Sequence, residues 1–129
     1  MIEKKEIIQS YLAELGIEVV SQDETTFVCR DEDEGINNLV IHLADPILVL
    51  EQQIAPESRL KPGYERELLK RNNRLIHGAF ILDGKENICW KDTLRLENLD
   101  LNELEGSIKA LSVCIAENAE YFLSNRVAS

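Results

Sequence analysis

The chain has 129 residues, 44% of them hydrophobic and 29% charged, with a formal net charge of −10 at pH 7. That length fits one domain, residues 1–129, able to bury a real core, and the apolar fraction argues against intrinsic disorder. The acidic surplus disfavours nucleic acid and anionic membranes as partners, since both would repel it, and suits a basic protein partner.

No stretch approaches the roughly 18 consecutive apolar residues that a membrane helix needs. The opening Met1-Ile2-Glu3-Lys4-Lys5-Glu6 lacks the apolar centre of a signal peptide, so a cytoplasmic protein is expected. Cys29, Cys89 and Cys114 are odd in number and show no Cys-x-x-Cys spacing, so they read as reduced, packed thiols.

In chain order, residues 2–15 read as an amphipathic helix, with Ile8, Tyr11, Leu12 and Leu15 at three- and four-residue spacing. Gly16 is placed to end it in the left-handed conformation. Ile17 to Val20 and Thr26 to Arg30 read as two strands around a turn at Gln22-Asp23-Glu24. The acidic run Asp31-Glu32-Asp33-Glu34-Gly35 lacks the ligand spacing of a calcium loop and is expected to be a solvated loop. Leu39 to Leu43 and Ile47 to Leu50 are nearly continuous apolar runs, which suggests strands covered on both faces, or at least central ones. Between them Asp45-Pro46 is a turn or a strand kink, and the turn is favoured.

Residues 55–62 read as a loop, with Pro62 at a first-turn position, and Gly63 to Leu75 as a helix. His77 to Leu82 and Ile88 to Leu96 then form a hairpin around Asp83-Gly84. Ile88, Trp90, Leu94 and Leu96 share one face of the second strand. Asp92 shares it too, as either a bulge or an inward polar group with a partner.

The last segment carries the fullest set of helix signals. Asp100 and Glu103 have capping-box spacing, and Leu99 and Leu104 are placed as a hydrophobic staple. Leu104, Ile108, Leu111, Ile115, Ala119 and Phe122 then form a core stripe in a helix expected to reach about Arg126. Behind it Gly106, Ala110, Val113, Cys114 and Tyr121 form a second, weaker apolar stripe, interrupted by Glu117. This stripe is the candidate partner or dimer surface; the alternative is scattered exposed apolar groups, which are common on folded surfaces. The order of helix, three or four strands, helix, two strands and helix predicts an α+β fold with an antiparallel sheet.

Motifs for chemistry are missing from the sequence. His42 and His77 have no metal-ligand spacing. There is no nucleotide loop and no Gly-x-Ser-x-Gly. No catalytic residue, cofactor or metal is expected.

The segments Asp45 to Gln52, His77 to Asp83 and Asp92 to Glu105 resemble the YbjN-like group of bacterial proteins. That group is similar in fold to the type III secretion chaperones, the Tir chaperone-like fold. The resemblance spans about residues 36–126. It implies a helix–strands–helix–strands–helix sandwich, often dimeric, that binds an extended segment of another protein without nucleotide. The leading expectation is therefore a non-enzymatic, chaperone-like, protein-binding module and homodimer. The alternatives are a regulatory or structural subunit of a larger assembly and, last, an enzyme with an unrecognised site.

Overall fold

The computed structural model describes residues 2–128. Its elements run α1 (Ile2–Glu14), β1 (Glu18–Gln22), β2 (Thr26–Asp31), β3 (Ile36–Ala44), β4 (Ile47–Pro56), α2 (Tyr64–Asn72), β5 (Ala79–Leu82), β6 (Asn87–Arg95) and α3 (Leu101–Ser124). The six strands form one antiparallel sheet in the order β1-β2-β3-β4-β6-β5. This is the expected α+β architecture, with four strands between the first two helices.

Local chemistry sets the element ends. At the end of α1, Ile17 N–H donates to Leu12 O and Gly16 N–H to Ala13 O, the paired bonds of a Schellman motif, with Gly16 at φ +73°. Ile17 and Leu12 then meet in the core. The β1–β2 turn is closed by Asp23, whose Oδ1 accepts from the Thr25 and Thr26 N–H groups. Asp45-Pro46 is the favoured turn, with a cis peptide bond.

The sheet packs all its helices on one face. Phe27, Ile41 and Leu50 stand side by side across β2, β3 and β4, and Cys29 and Leu39 form the next row. Trp90 and Phe80 continue the same face on β6 and β5. Ile8 and Leu12 of α1, Tyr64 and Leu68 of α2, and Leu104, Ile108 and Leu111 of α3 close over it in one cluster. The opposite face carries half-buried Val28, Val40 and Val49, and none of these joins that cluster. The expectation of strands covered on both faces is thus corrected. The apolar runs in β3 and β4 mark central strands, but their second face has no cover within the described residues.

Three boundaries also differ. β4 runs on past Leu50 to Pro56, so Ala55 and Pro56, read as the start of the 55–62 loop, belong to the strand. Gln52 is buried, and its Oε1 accepts the Asn37 N–H, so a polar side chain occupies an inward position. α2 ends at Asn72 rather than Leu75, and it is capped at its start by Gly63, which leaves Pro62 outside the helix. Asn72 turns the chain toward β5 by accepting the Phe80 N–H at 2.7 Å.

α3 begins as expected. Asp100 accepts from the Glu103 N–H at 2.8 Å, and the Glu103 side chain accepts from the Asp100 N–H. The 24 residues give a length of about 36 Å at ~1.5 Å per residue. Asp92 is resolved as the inward polar group: Ser107 Oγ donates to its Oδ2 at 2.7 Å. The core stripe is partly corrected. Its buried members are Leu104, Ser107, Ile108, Leu111, Cys114 and Asn118, whereas Ala119 is exposed and Ile115 only half-buried. Leu104, Leu111 and Asn118 recur every seven residues, as do Ser107 and Cys114, so polar letters stand at two core positions.

Candidate functional site

The five residues of the second stripe do not share one environment. Cys114 is 1% exposed and faces the core, a correction that follows from its place seven residues after buried Ser107. Tyr121 is held by the chain itself: the Arg71 guanidinium lies 4.4 Å from its ring centroid, and Phe122 packs edge-on against it. Arg71 is fixed there by Glu67 and by Asn118 Oδ1, each at 2.8 Å. Gly106 and Ala110 are half-buried beside the α2–β5 connection, where Leu75 and Ile76 form the facing wall of a shallow cleft. Val113 alone of the five is more than half exposed, at 52%.

Val113 stands on a ridge whose other side belongs to a second cleft of about 310 Å3. Leu15 and Ile17, after α1, form part of its apolar lining, with Ile36 at the start of β3 and Ile108 of α3. Asp31, Glu34 and Glu105 stand at its rim with Lys109. The size is at the low end for ligand pockets, which hold about 300–1,000 Å3, so it suits inserted side chains. Its acidic wall is tied to α3, because the Ser112 hydroxyl lies between the carbonyl and a carboxylate oxygen of Glu34, at 2.9 and 2.7 Å, and donates its one proton to this pair.

From Ile17 in the cleft lining the chain enters β1, an edge strand of the sheet. Within this sheet β1 pairs only with β2, and Val20 on it is 50% exposed. β5 forms the other edge and ends in exposed Leu82, near exposed Leu69 of α2. Unpaired strand edges offer main-chain donors and acceptors to an added strand.

The residues searched for chemistry take ordinary roles. His42 Nδ1 lies 2.9 Å from Thr26 Oγ1, its register neighbour on β2, and the His77 carbonyl accepts from the Trp90 indole N–H at 3.3 Å. Sequence reasoning did miss one group. Glu51 on β4, Asp83 in the β5–β6 turn and Cys89 on β6 bring donor atoms within 4.8 Å of one another on the sheet face away from the helices. Backbone N–H groups of Asn87 and Lys85 hold the Asp83 carboxyl below its usual range. Burial, followed by the Glu51 and Asp83 charges, pushes the Cys89 thiol up to about 12. A cation here would have to displace a firmly held proton. Asp83 and Cys89 belong to one hairpin, and the pairing of β4 with β6 brings the distant Glu51 to them.

Among the described residues no helix is long and apolar enough to cross a membrane. The family model CesT_Tir_1 matches residues 1–126. No curated protein matches the chain by sequence. Several solved structures share the fold, among them these three. YbjN from E. coli, described as a candidate transcription regulator, aligns with a TM-score of 0.68 at 13% identity, covering 94% of this chain and 93% of that one. The HopA1–SchA chaperone–effector complex gives 0.65 at 16% identity, covering 99% and 98%. The Yersinia pestis type III secretion chaperone SycH, bound to a fragment of YscM2, gives 0.61 at 12% identity, covering 91% and 98%.

Proposed function

The chain belongs to the CesT_Tir_1 family, and on that premise we propose that it is a non-enzymatic, chaperone-like module that binds a segment of a partner protein. One observation carries the reading. An open apolar cleft lies between the end of α1, the start of β3 and α3, and the edge strand β1 starts directly after Ile17 of its lining. An extended segment could gain main-chain bonds from the edge and bury side chains in the cleft. The partners named in the HopA1–SchA and SycH structures support protein capture as the use of this fold. Because function resides in sites rather than folds, they do not name a client here.

We also propose a cytoplasmic homodimer. The cytoplasm keeps thiols such as Cys29, Cys89 and Cys114 reduced. The dimer would use what remains open of the α3 stripe, namely Val113 with Gly106 and Ala110 beside Ile76, which is 89% exposed; Cys114 and Tyr121 would support it from beneath. Sedimentation equilibrium on the wild type and Val113→Glu tests this. A monomer in both ends the dimer proposal.

Capture is tested by native pull-down with the full chain, mass spectrometry and mapping of the retained segment by limited proteolysis. A specific partner, held through one protease-resistant segment, is expected. No specific partner across growth conditions overturns the reading. Net charge supports a second reading, a subunit docking a basic protein within a larger assembly. That association would be lost in raised salt, whereas capture by the cleft keeps the part of its affinity that the apolar lining supplies.

A further inference from the structure

We propose that the cleft recognises an apolar side chain flanked by lysine or arginine, so that the captured segment is basic around its anchor. This rests on the segment-binding reading and specifies its chemistry. The lining supplies the apolar half: Leu15, Ile17, Ile36 and Ile108 offer no charged group to an inserted side chain. The rim supplies the other half. Asp31, Glu32, Asp33 and Glu34 are consecutive, and Asp31 and Glu34 border the cleft.

The neighbouring cations are already engaged. Arg30 pairs with Glu18 at 3.0 Å, and Lys109 reaches Glu105 at 3.5 Å. Among the described residues no ion pair is made by any carboxylate of the 31–34 run. Four carboxylates without an ion pair therefore sit together, Asp31 at the end of β2 and Glu32, Asp33 and Glu34 on a short 3-10 turn that Ser112 ties to α3. Like charges so close repel one another, and a basic segment relieves that repulsion where an acidic or neutral one does not. An acidic segment would be rejected at the same rim, which gives selectivity as well as attraction.

The probe is a fluorescein-labelled peptide, Gly-Lys-Lys-Ser-Leu-Ser-Lys-Lys-Gly, titrated with the full chain and read by anisotropy. Saturable binding is expected. Exchanging the leucine for serine should weaken it about tenfold, the loss of one partly buried leucine. Exchanging the lysines for glutamate should abolish it. Asp31→Asn and Glu34→Gln, which keep shape and hydrogen bonding, should each weaken it about two- to fivefold, as for exposed charge pairs.

The inference is overturned by no binding, by equal affinity for the serine or the glutamate peptide, or by affinities unchanged in both variants. None of these touches the wider reading, which stands or falls on partner capture. Conversely, a captured partner whose mapped segment is acidic overturns only the chemistry assigned to the cleft.

Discussion

Gly78 and Gly16 have nearly the same backbone conformation, φ +75° and +73°, and different surroundings. An alanine at either position accepts the left-handed region at about 1–2 kcal/mol. At Gly16 the added Cβ meets nothing within 4 Å. At Gly78 it would lie 2.5 Å from Cε2 and Nε1 of Trp90. That indole is fully buried and tied to the His77 carbonyl, so it cannot swing aside. Forcing one extra carbon into such packing costs a further ~1–3 kcal/mol. Gly16→Ala should therefore lose about 1–2 kcal/mol and Gly78→Ala about 2–5 kcal/mol, a large part of the ~5–15 kcal/mol by which domains are stable. Urea unfolding followed by the fluorescence of Trp90, the chain's single tryptophan, measures both on one signal. Equal losses in the two variants would refute the close packing of the α2–β5 connection on β6.

Three further outcomes follow from other contacts. Asp100→Ala removes the cap of α3 and should cost about 1 kcal/mol by the same urea assay. Ser107→Ala takes the hydroxyl donor from Asp92 and should cost ~1–3 kcal/mol, whereas a surface change such as Ser58→Ala should cost almost nothing. Burial holds the Cys29 and Cys89 thiols at about 12 and Cys114 at about 11, against 9.0 for a free thiol, so a disulfide reagent at pH 8 should label them only as fast as the chain opens. Because these pKa values are raised on folding, the unfolded chain loses protons first. Stability from this source is complete below about pH 9 and falls as pH rises from there toward 12, which urea midpoints across that range would show.

The sequence carries the ends of elements more plainly than their burial. Asp100 and Glu103 declare the start of α3, Gly16 ends α1 and Asp83-Gly84 marks the β5–β6 hairpin, because each signal is local backbone chemistry. What hid was polar residues in core positions. Ser107 and Asn118 broke the seven-residue seam of α3, so Cys114 read as part of a second stripe when it belongs to the first. Gln52 likewise disguised the outer half of β4. Asp92 announced a polar group facing inward, and only the crossing of α3 over β6 supplied its donor.

The cleft was legible in its charge but not in its shape. The run from Asp31 to Glu34 is a solvated acidic loop, as read, and its carboxylates are half or fully exposed. That it walls an apolar cleft depends on Leu15, Ile17, Ile36 and Ile108, brought together from the α1–β1 connection, β3 and α3. No periodicity within one segment encodes such a meeting. The uncovered sheet face and the open edges of β1 and β5 arise the same way, from strand order rather than strand composition.

Hydrogen exchange on the full chain, with and without the partner retained in native pull-down, tests segment capture most directly. Slowed exchange confined to residues 15–22, 31–36 and 105–113 is the expected result, since those residues build the cleft and its adjoining edge. A specific partner that slows exchange elsewhere and leaves these three segments unchanged would contradict the cleft as the binding site.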